Sequence, residues 1–460
     1  MNSAIASSKP NNMEPRSNQQ PPPTVALLHC YDLIDDFLDS INISFETFCK
    51  EFVGSWMFGY INALKQVGIR TVLFCISARV EKTSRFIHEP TGATVCMLPA
   101  PQTYYIYRAL RQNSLKMYGA SESQSFKDVE DDNTLRRSLL TPIKDLAKSF
   151  GTYLSTPLTF LAGELRRENC QAILCQEYEY ARFDSIVLLG KIINLPVFTT
   201  FQGGDRTQSW LEILPRQLAF RSCTGVIVPT QTEIKRIKSR YGISSDKIAR
   251  IFNPVDTETW HKRDRTKARA ALNIALTARV VAWHGRVEIE RKGLDVLLQA
   301  WQQICNERPD KDLRLLLVGT GSDADRFAQR IKDMHLKGVY WLNEFVSDRH
   351  VIQQYLSAAD VYTLPSRQEG FPVAPLEAMC CGLPVVAADA PGVPDILSGE
   401  ESAVGTIVPR GDVSTLASAL GRLLDDEAWS RELGQNARDR VENCFSPSAI
   451  GKQLQSFLIK

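Results

Sequence analysis

Short apolar runs alternate with longer helical stretches along most of this chain, and this alternation constrains the fold more than any other feature. From Thr24 onward, the runs that read as buried strands are TVALLHC, RTVLFCIS, TVCML, AILCQ, PVFTTF and GVIVP. Helical patterns such as FVGSWMFGYINALKQVG and SIVLLGKIIN lie between them. Because strands that alternate with helices form βαβ units, the pattern predicts a mostly parallel sheet with helices on both faces.

A second series of the same kind follows RIFNPVDTETW, at RVVAWHG, RLLLVG, GVYWLN, DVYTLPS, PVVAAD and GTIVP. A chain of 460 residues is too long for one ordinary core. We therefore predict two domains, 24–253 and 254–445, a hinge around 253–260, and a final helix, 446–460, that crosses back onto the first domain. The predicted fold class is α/β, with two facing doubly wound, Rossmann-like domains and a ligand in the cleft between them.

Two segments fall outside the alternation. Residues 1–23 are rich in Ser, Asn, Gln and Pro, so we predict a disordered leader. An insertion at about 102–170 carries a long amphipathic pattern, which favours a solvated helical excursion over an acceptor cover or a membrane-facing surface. Since no apolar run is long enough to span a bilayer, the expected location is cytoplasmic, and peripheral contact with the inner face of a membrane is left open.

The composition limits the classes of partner. Lys and Arg total 54 and Asp and Glu total 52, so the net charge of +2 gives no general reason to expect nucleic acid binding. The eleven cysteines are scattered through apolar runs without a CxxC pair, and the six histidines do not cluster. The sequence therefore predicts reduced cysteines and no metal site, and it leaves the oligomeric state open.

Two carboxylates with seven residues between them, Glu369 and Glu377, lie in the stretch LPSRQEGFPVAPLEAMCCGLPVV, 364–386. The pattern predicts a strand, a tight loop that contains Glu369, and a helix that contains Glu377 one turn inside it. The free N–H groups of 370–374 at the start of that helix suit a phosphate. Carboxylates instead accept paired hydrogen bonds from vicinal hydroxyls. Together, the two carboxylates and the N–H groups between them suggest a ligand in which a sugar, a phosphate and a ribose lie in a row.

Cations that a diphosphate would need occur in AWHGRVEIERKGLDVLL. Arg286 comes directly after a predicted strand and Lys292 at the start of the next helix. Gly285 and Gly293 beside them allow close approach of the backbone. Because both positions lie at the carboxyl end of a strand, we expect the two cations to reach one cleft.

These motifs carry a resemblance to a known family. HGR with RKGLD, VGTGSD, WLNEFVSD and PSRQEGFPVAPLEAMCCGLPVVAAD resemble the C-terminal half of retaining GT-B glycosyltransferases, in the large family that contains bacterial phosphatidylinositol mannosyltransferases and sucrose synthases. The resemblance is strong over about 225–460 and holds only in pattern before that. It implies the GT-B fold and a hexosyltransferase that moves a sugar from a nucleotide-diphosphate sugar to an acceptor, with retention of anomeric configuration. It also implies that neither a metal nor another cofactor is needed.

The resemblance further implies roles for individual residues. Glu369 would hold hydroxyls of the donor sugar, Glu377 would hold the ribose diol, and Arg286 with Lys292 would neutralise the leaving diphosphate. The other donor-binding positions implied are Gly54, Gly285, Leu342, Phe345, Gly370, Phe371, Pro372 and Val373. The base would lie near 342–346, and an oxygen of the donor phosphate would take the proton of the acceptor, so that no enzyme base is obligatory.

The first half departs from the family pattern at TTFQGGDRTQSW. Gln202 stands where many relatives have a histidine, and a glutamine cannot carry a proton charge at neutral pH. Any role that depends on that histidine is therefore in doubt here. Asp205, which follows two glycines, is expected on the acceptor side together with Gln202.

Other functions fit parts of the sequence. RLLLVGTGSDADRF has Gly319, Gly321 and Ala324 in G-x-G-x-x-A spacing, with Glu344 about twenty residues further on, which is the outline of an NAD-dependent dehydrogenase. That outline lies in the second unit of the second half, and the first strand of the chain lacks the glycines. A sugar-nucleotide epimerase of the same fold and a two-lobed binding protein also stay open. The sequence does not name the sugar, the nucleotide or the acceptor, which is a glycan, a glycolipid or a small molecule.

Overall fold

The structure, a computed structural model, describes residues 22–29, 33–38, 43–52, 56–105, 108, 153–201, 209–346, 348–398 and 404–459. Within these residues the chain forms two α/β units, each built on its own sheet. The predicted fold class is confirmed. Three predicted site residues, Gly54, Gln202 and Asp205, lie outside the described residues, as does most of the predicted insertion.

The first sheet has eight strands in the order β3-β4-β2-β1-β5-β6-β7-β8, and its neighbours pair in parallel except for β3 with β4. The strands are β1 (Thr24–Leu28), β2 (Arg70–Ser77), β3 (Ser84–His88), β4 (Ala93–Pro99), β5 (Cys170–Gln176), β6 (Val197–Thr200), β7 (Gly225–Val228) and β8 (Ile248–Arg250). The helices are α1 (Phe45–Lys50), α2 (Trp56–Gln66), α3 (Leu158–Arg167), α4 (Ala181–Ile193), α5 (Trp210–Ser222) and α6 (Gln231–Tyr241), with a π-helical turn at Leu33–Phe37 and a 3-10 turn at Ser245–Lys247.

The second sheet has six strands, all parallel, in the order β11-β10-β9-β12-β13-β14. They are β9 (Arg279–His284), β10 (Leu313–Val318), β11 (Val339–Leu342), β12 (Val361–Leu364), β13 (Val385–Ala388) and β14 (Gly405–Val408). The helices are α7 (Arg265–Ala271), α8 (Leu294–Glu307), α9 (Ala324–Asp333), α10 (Arg349–Ala358), α11 (Ala374–Cys380), α12 (Val393–Leu397), α13 (Val413–Asp425), α14 (Glu427–Cys444) and α15 (Pro447–Leu458).

Apolar clusters lie on both faces of each sheet. On the first sheet, one cluster contains α2 and α15, and the other contains side chains of α3, α4, α5 and α6. On the second sheet, α8, α9 and α13 pack on one face, and α10, α11 and α14 pack on the other. Both sheets are therefore buried on two sides, which explains why their strands read as continuous apolar runs. Among the described helices, none combines the length and the apolar character that crossing a bilayer requires.

The chain passes between the two units near Phe252 and again near Phe445. The backbone N–H of Val255 donates to the carbonyl of Phe445 at 2.9 Å. The ring of Phe252 lies 4.7 Å from that of Phe445 and 5.6 Å from that of Phe371, centroid to centroid. After the second crossing, α15 packs on α2, where Gly451 comes so close to Ala63 that an added Cβ would lie 2.2 Å from its carbonyl oxygen. The two crossings therefore share one aromatic cluster.

Candidate functional site

The predicted site residues of the second unit come from two loops at the middle of its sheet. One loop, 285–293, follows β9, and the other, 365–373, follows β12. From β9 the chain runs outward through β10 and β11, and it then returns to β12 on the other side of β9. The strand order thus reverses between β9 and β12, and the crevice beyond such a point is where open parallel sheets bind ligands.

Close backbone packing joins the two loops. Gly293 has φ +63°, and an added Cβ would lie 2.0 Å from the carbonyl oxygen of Pro365, so only glycine fits there. The backbone N–H of Arg367 donates to the carbonyl of Arg291 at 2.9 Å. The backbones of the two loops are therefore packed directly against each other.

A partly exposed ion pair strengthens this junction. The two guanidinium nitrogens of Arg367 each donate to one carboxylate oxygen of Asp295, both at 2.7 Å. Burial by itself would raise the pKa of Asp295, but the hydrogen bonds and the charge of Arg367 outweigh it and hold that pKa below its usual range. The carboxylate is thus charged at neutral pH, and the bidentate pair fixes the loop that leads into Glu369.

Lys292 and Glu369 meet across the loop junction. The ammonium nitrogen of Lys292 lies 2.8 Å from Oε1 of Glu369, and the two side chains are 19% and 8% exposed. The sequence predicted both residues at one site, but it assigned them to different parts of the ligand and did not predict that they pair. Because a lysine has three N–H donors, this contact leaves two for a ligand.

Glu377 has a basic partner of its own, His284. Nε2 of His284 lies 2.8 Å from Oε2 of Glu377, whose side chain is 20% exposed. The other ring nitrogen, Nδ1, is buried and has no hydrogen-bond partner among the described residues. Because a carboxylate oxygen accepts, Nε2 is the donor in this contact.

His284 directly precedes Gly285 and Arg286 in the sequence, but no role was predicted for it. The contact joins residues 93 positions apart, and only the alignment of β9 beside β12 brings them together. The hydroxyl of Tyr362 donates to the carbonyl of His284 at 3.3 Å. Burial raises the pKa of Tyr362 well above its usual range, and the charges of Glu377 and Glu369 raise it further. The tyrosine therefore stays neutral and supports the backbone beneath both carboxylates.

Arg286 lies at the rim of the crevice. Its side chain is 71% exposed and contacts Glu288 at 3.3 Å between Nη1 and Oε1. An exposed ion pair of this kind contributes little to stability, so it does not hold the guanidinium in one place. Arg286 is thus the more exposed cation of the predicted pair, and its contact with Glu288 does not prevent it from turning to a ligand.

The segment 370–373 turns its largest side chain away from the crevice. Phe371 is 7% exposed and belongs to the apolar core of the second unit. Its backbone N–H and that of Gly370 donate no hydrogen bond to described residues. Any contact of Phe371 with a ligand is therefore made by its backbone, as the prediction for this segment requires.

The predicted base region lies at the edge of the sheet. The carbonyl of Leu342 accepts a hydrogen bond from the N–H of Gly319 at 3.0 Å, and Phe345 beyond it is 77% exposed. A free phenyl ring at that rim offers a face on which a nucleobase stacks. Neither the base nor the contact is tested by the structure, so this position stays a prediction.

The glycines that suggested a dehydrogenase have a structural explanation. An added Cβ at Gly319 would lie 2.0 Å from the carbonyl oxygen of Gly285, and one at Gly321 would lie 2.4 Å from that of Val287. Both glycines thus let the loop after β10 pack against the loop after β9. Their spacing is a consequence of loop packing and needs no dinucleotide.

Two family models match this chain. The model described as "Glycosyl transferases group 1" covers residues 278–426, and the one described as "Glycosyltransferase Family 4" covers residues 100–259. Among curated proteins, D-inositol 3-phosphate glycosyltransferase of Corynebacterium aurimucosum is 30% identical over 237 residues, which are 50% of this chain and 55% of the relative. The chain thus spans about half the length of these curated relatives.

Solved structures resemble the whole fold. Sucrose-phosphate synthase from Thermosynechococcus elongatus superposes with a TM-score of 0.62 at 20% identity, covering 94% of this chain and 98% of the other. HepE of Anabaena, solved in complex with UDP, gives a TM-score of 0.65 at 18% identity and the same coverage. These likenesses establish a shared architecture of two sheet domains.

Proposed function

Because the chain belongs to the group 1, family 4 glycosyltransferases and has their GT-B fold, we propose that it transfers a sugar from a nucleotide-diphosphate sugar to an acceptor. The observation that carries the proposal is the arrangement at the switch point between β9 and β12. Two carboxylates lie there, each held through one oxygen by a basic side chain of the 284–292 segment, beside an exposed arginine. The comparisons give no support to the epimerase or dehydrogenase alternatives.

The donor is held by both halves of this arrangement. Glu369 and Glu377 each have one oxygen anchored, so the other oxygen accepts from hydroxyls of the donor sugar and of the ribose. The diphosphate lies between Arg286, Lys292 and the amides that begin at Gly370. HepE, which shares this fold, was solved with UDP, which supports a nucleotide as part of the donor. Metal independence and the cytoplasmic location stay part of the proposal.

Transfer proceeds with retention. The bond between the anomeric carbon and the phosphate oxygen breaks, and the bond to the acceptor oxygen forms on the same face of the sugar. The acceptor proton passes to an oxygen of the departing diphosphate, so the charge balances without an enzyme base. Arg286 and Lys292 stabilise the negative charge that grows on the leaving group, which is the type of contact that contributes most in transfer reactions.

Thermal shift tests the donor. We expect one of UDP, GDP and ADP, each in about 100-fold excess over its Kd, to raise the melting temperature by about 5–10 °C, because a ligand that binds only the native state stabilises it by mass action. The corresponding sugar nucleotides are then incubated with candidate acceptors, and proton NMR reads the anomeric configuration. If none of the three nucleotides shifts the melting temperature, the proposal fails. Conversion of the donor without an acceptor would instead identify an epimerase.

Removal of a ribose hydroxyl tests Glu377 and its positioning residue His284. We expect the wild type to bind the selected nucleotide diphosphate about 10- to 100-fold more tightly than its 2′-deoxy form, since a hydrogen bond to a charged acceptor contributes about 1.5–3 kcal/mol. Glu377→Gln should remove most of this ratio, and His284→Phe should reduce it because Glu377 loses its anchor. Calorimetry measures both affinities. His335→Phe, a change at a histidine outside the site, is the control.

A ratio near one in the wild type would contradict the role of Glu377. A ratio that survives in His284→Phe but not in Glu377→Gln would contradict the positioning role alone.

A further inference from the structure

A layer of four helices, α3, α4, α5 and α6, covers one face of the first sheet. Their inward side chains, among them Leu161, Phe183, Phe220 and Ile237, belong to a single apolar cluster with the strands. Since right-handed crossovers place these helices side by side, their outward faces form one continuous surface. We call this surface the outer helical face.

Helix α5 exposes its apolar side to solvent and buries charged side chains on the opposite side. Its exposed apolar residues are Trp210, Ile213, Leu214 and Leu218, which are 73%, 47%, 63% and 51% exposed. Their spacing of three and four residues puts them on one side of the helix. The opposite side buries two charged side chains, Glu212 and Arg216. The helix thus turns its apolar stripe to the outside, which a surface helix in water does not do.

The neighbouring helices extend this apolar stripe. On α4, which packs directly against α5, Leu188 is 60% exposed and Ile192 is 72% exposed. On α3, beside α4, Phe160 is 58% exposed. Single exposed apolar side chains are ordinary, but a run of them across adjacent helices marks a surface that binds something apolar.

The exposed charges of the same layer all have one sign. Each of the four helices carries one acidic side chain, and each is engaged by a neighbour: Glu164 by Arg85, Asp184 by Arg216, Glu212 by the N–H of Ser209, and Glu233 by Arg236. Every exposed charged side chain on these helices is basic, with Arg167, Lys191, Arg221, Lys235 and Lys238 among them. The net charge of the whole chain is only +2, so this excess is local.

We propose that the outer helical face docks on the surface of a membrane that contains anionic lipids. Protruding Trp, Leu and Ile side chains insert into the boundary between headgroups and acyl chains, and the surrounding Lys and Arg side chains bind lipid phosphates. Nucleic acid would use the basic side chains but not the aliphatic ones. A second copy of this chain would bring basic side chains against basic side chains, since a two-fold contact pairs like surfaces. The inference does not depend on the identity of the donor.

Vesicle sedimentation of the full chain tests the proposal. We expect the wild type to pellet with vesicles of phosphatidylcholine containing about a third phosphatidylglycerol, and about tenfold less with phosphatidylcholine alone, with the difference shrinking as salt is raised. The variant Ile213→Ser/Leu214→Ser/Leu218→Ser and the variant Lys235→Glu/Lys238→Glu should each weaken binding by about tenfold or more. All five positions are exposed, so the melting temperature should stay unchanged.

Matched controls come from the second unit. Leu276→Ser removes an equally exposed leucine, and Arg330→Glu/Lys332→Glu reverses two exposed charges on α9. Neither control should alter binding. The proposal is overturned if the wild type does not pellet with the anionic vesicles, if it binds both vesicles equally, or if the outer-face variants bind as the wild type does. It is also overturned if size-exclusion chromatography shows a dimer that the apolar variant dissociates while vesicle binding is lacking.

Discussion

Replacing Lys292 by methionine is expected to lower turnover about 10²- to 10³-fold, with a smaller effect on donor affinity. Removal of one preorganised donor to a developing charge costs this much in comparable sites. In the free protein one N–H of Lys292 is occupied by Glu369, which leaves two for the diphosphate. These N–H groups stabilise the diphosphate most when its charge is greatest, which is during departure of the leaving group.

Arg291→Met is the matched control for Lys292→Met. It removes a neighbouring cation whose side chain is half exposed and contacts Glu288 at 3.5 Å between Nη1 and Oε2. Steady-state kinetics with saturating donor should show wild-type turnover in Arg291→Met. Equal turnover in the two variants would show that position 292 has no special part in the reaction, and the assignment of the crevice would then be wrong.

Glu369→Gln should also lower turnover, because it removes a carboxylate that both anchors Lys292 and holds the sugar.

Replacing Arg269 by methionine is expected to destabilise the second unit by about 3–5 kcal/mol and to lower its melting temperature by roughly 10 °C. The guanidinium of Arg269 is fully buried and lies 2.9 Å from Oδ2 of Asp360. It also donates to the carbonyls of Ala358 at 2.9 Å, Leu276 at 2.7 Å and Ala278 at 3.0 Å. Methionine would leave these acceptors buried without donors and leave the carboxylate with less of its counter-charge.

The position of this network explains why Arg269→Met should also disturb the candidate site. Asp360 accepts a hydrogen bond from the N–H of Val280 at 2.8 Å, so the network joins the beginnings of β9 and β12. Those are the two strands whose far ends carry His284 and Glu369. Differential scanning calorimetry measures the transition. Arg265→Met is the control, since Arg265 also pairs with Asp360 but is 29% exposed at its side chain, and it should cost less than about 1 kcal/mol. A melting temperature unchanged in Arg269→Met would contradict the prediction.

Most of the strands that sequence reasoning found have both faces buried, although the edge strands β11 and β14 of the second sheet are partly exposed. Every apolar run named from the sequence contains a strand of the structure, because burial on two sides selects uninterrupted Val, Ile and Leu. The two strands that it missed, β3 and β8, lie at the edges of the first sheet. β3 carries Ser, Arg and His, and β8 has only three residues, so neither gives a periodic apolar signal.

The site was predictable where local pattern decides it. The strand, loop and helix around Glu369 and Glu377 follow from the punctuation by Gly370, Pro375 and Gly382, and the helix forms at Ala374–Cys380. What was not predictable is which side chains pair. The contacts of Lys292 with Glu369 and of His284 with Glu377 span 77 and 93 residues. They depend on the lateral order of strands, which no periodicity in the sequence encodes.

Two buried arginines were not predicted from the sequence. Arg216 and Arg269 sit in segments whose charge indicates a solvated helix face, yet both are fully buried and ion-paired. Local charge does not predict the burial of these arginines, because the carboxylate that pairs with each of them, Asp184 or Asp360, comes from a different element. The outer helical face was not predictable for a related reason. The spacing of residues on α5 shows that the helix has an apolar side and a charged side, but it does not show which of the two faces the sheet.

The aromatic cluster of Phe252, Phe371 and Phe445 has a consequence for how the two halves of the molecule would open and shut around a substrate. The only two stretches of described chain that link the halves run through this cluster, and the peptide that precedes the donor helix α11 is packed into it. A rigid-body rotation of one half would thus have its axis beside the cluster, where displacement is least. The donor carboxylates next to that axis would keep their geometry through the whole swing, while groups on the far lip of the opposing half would travel furthest.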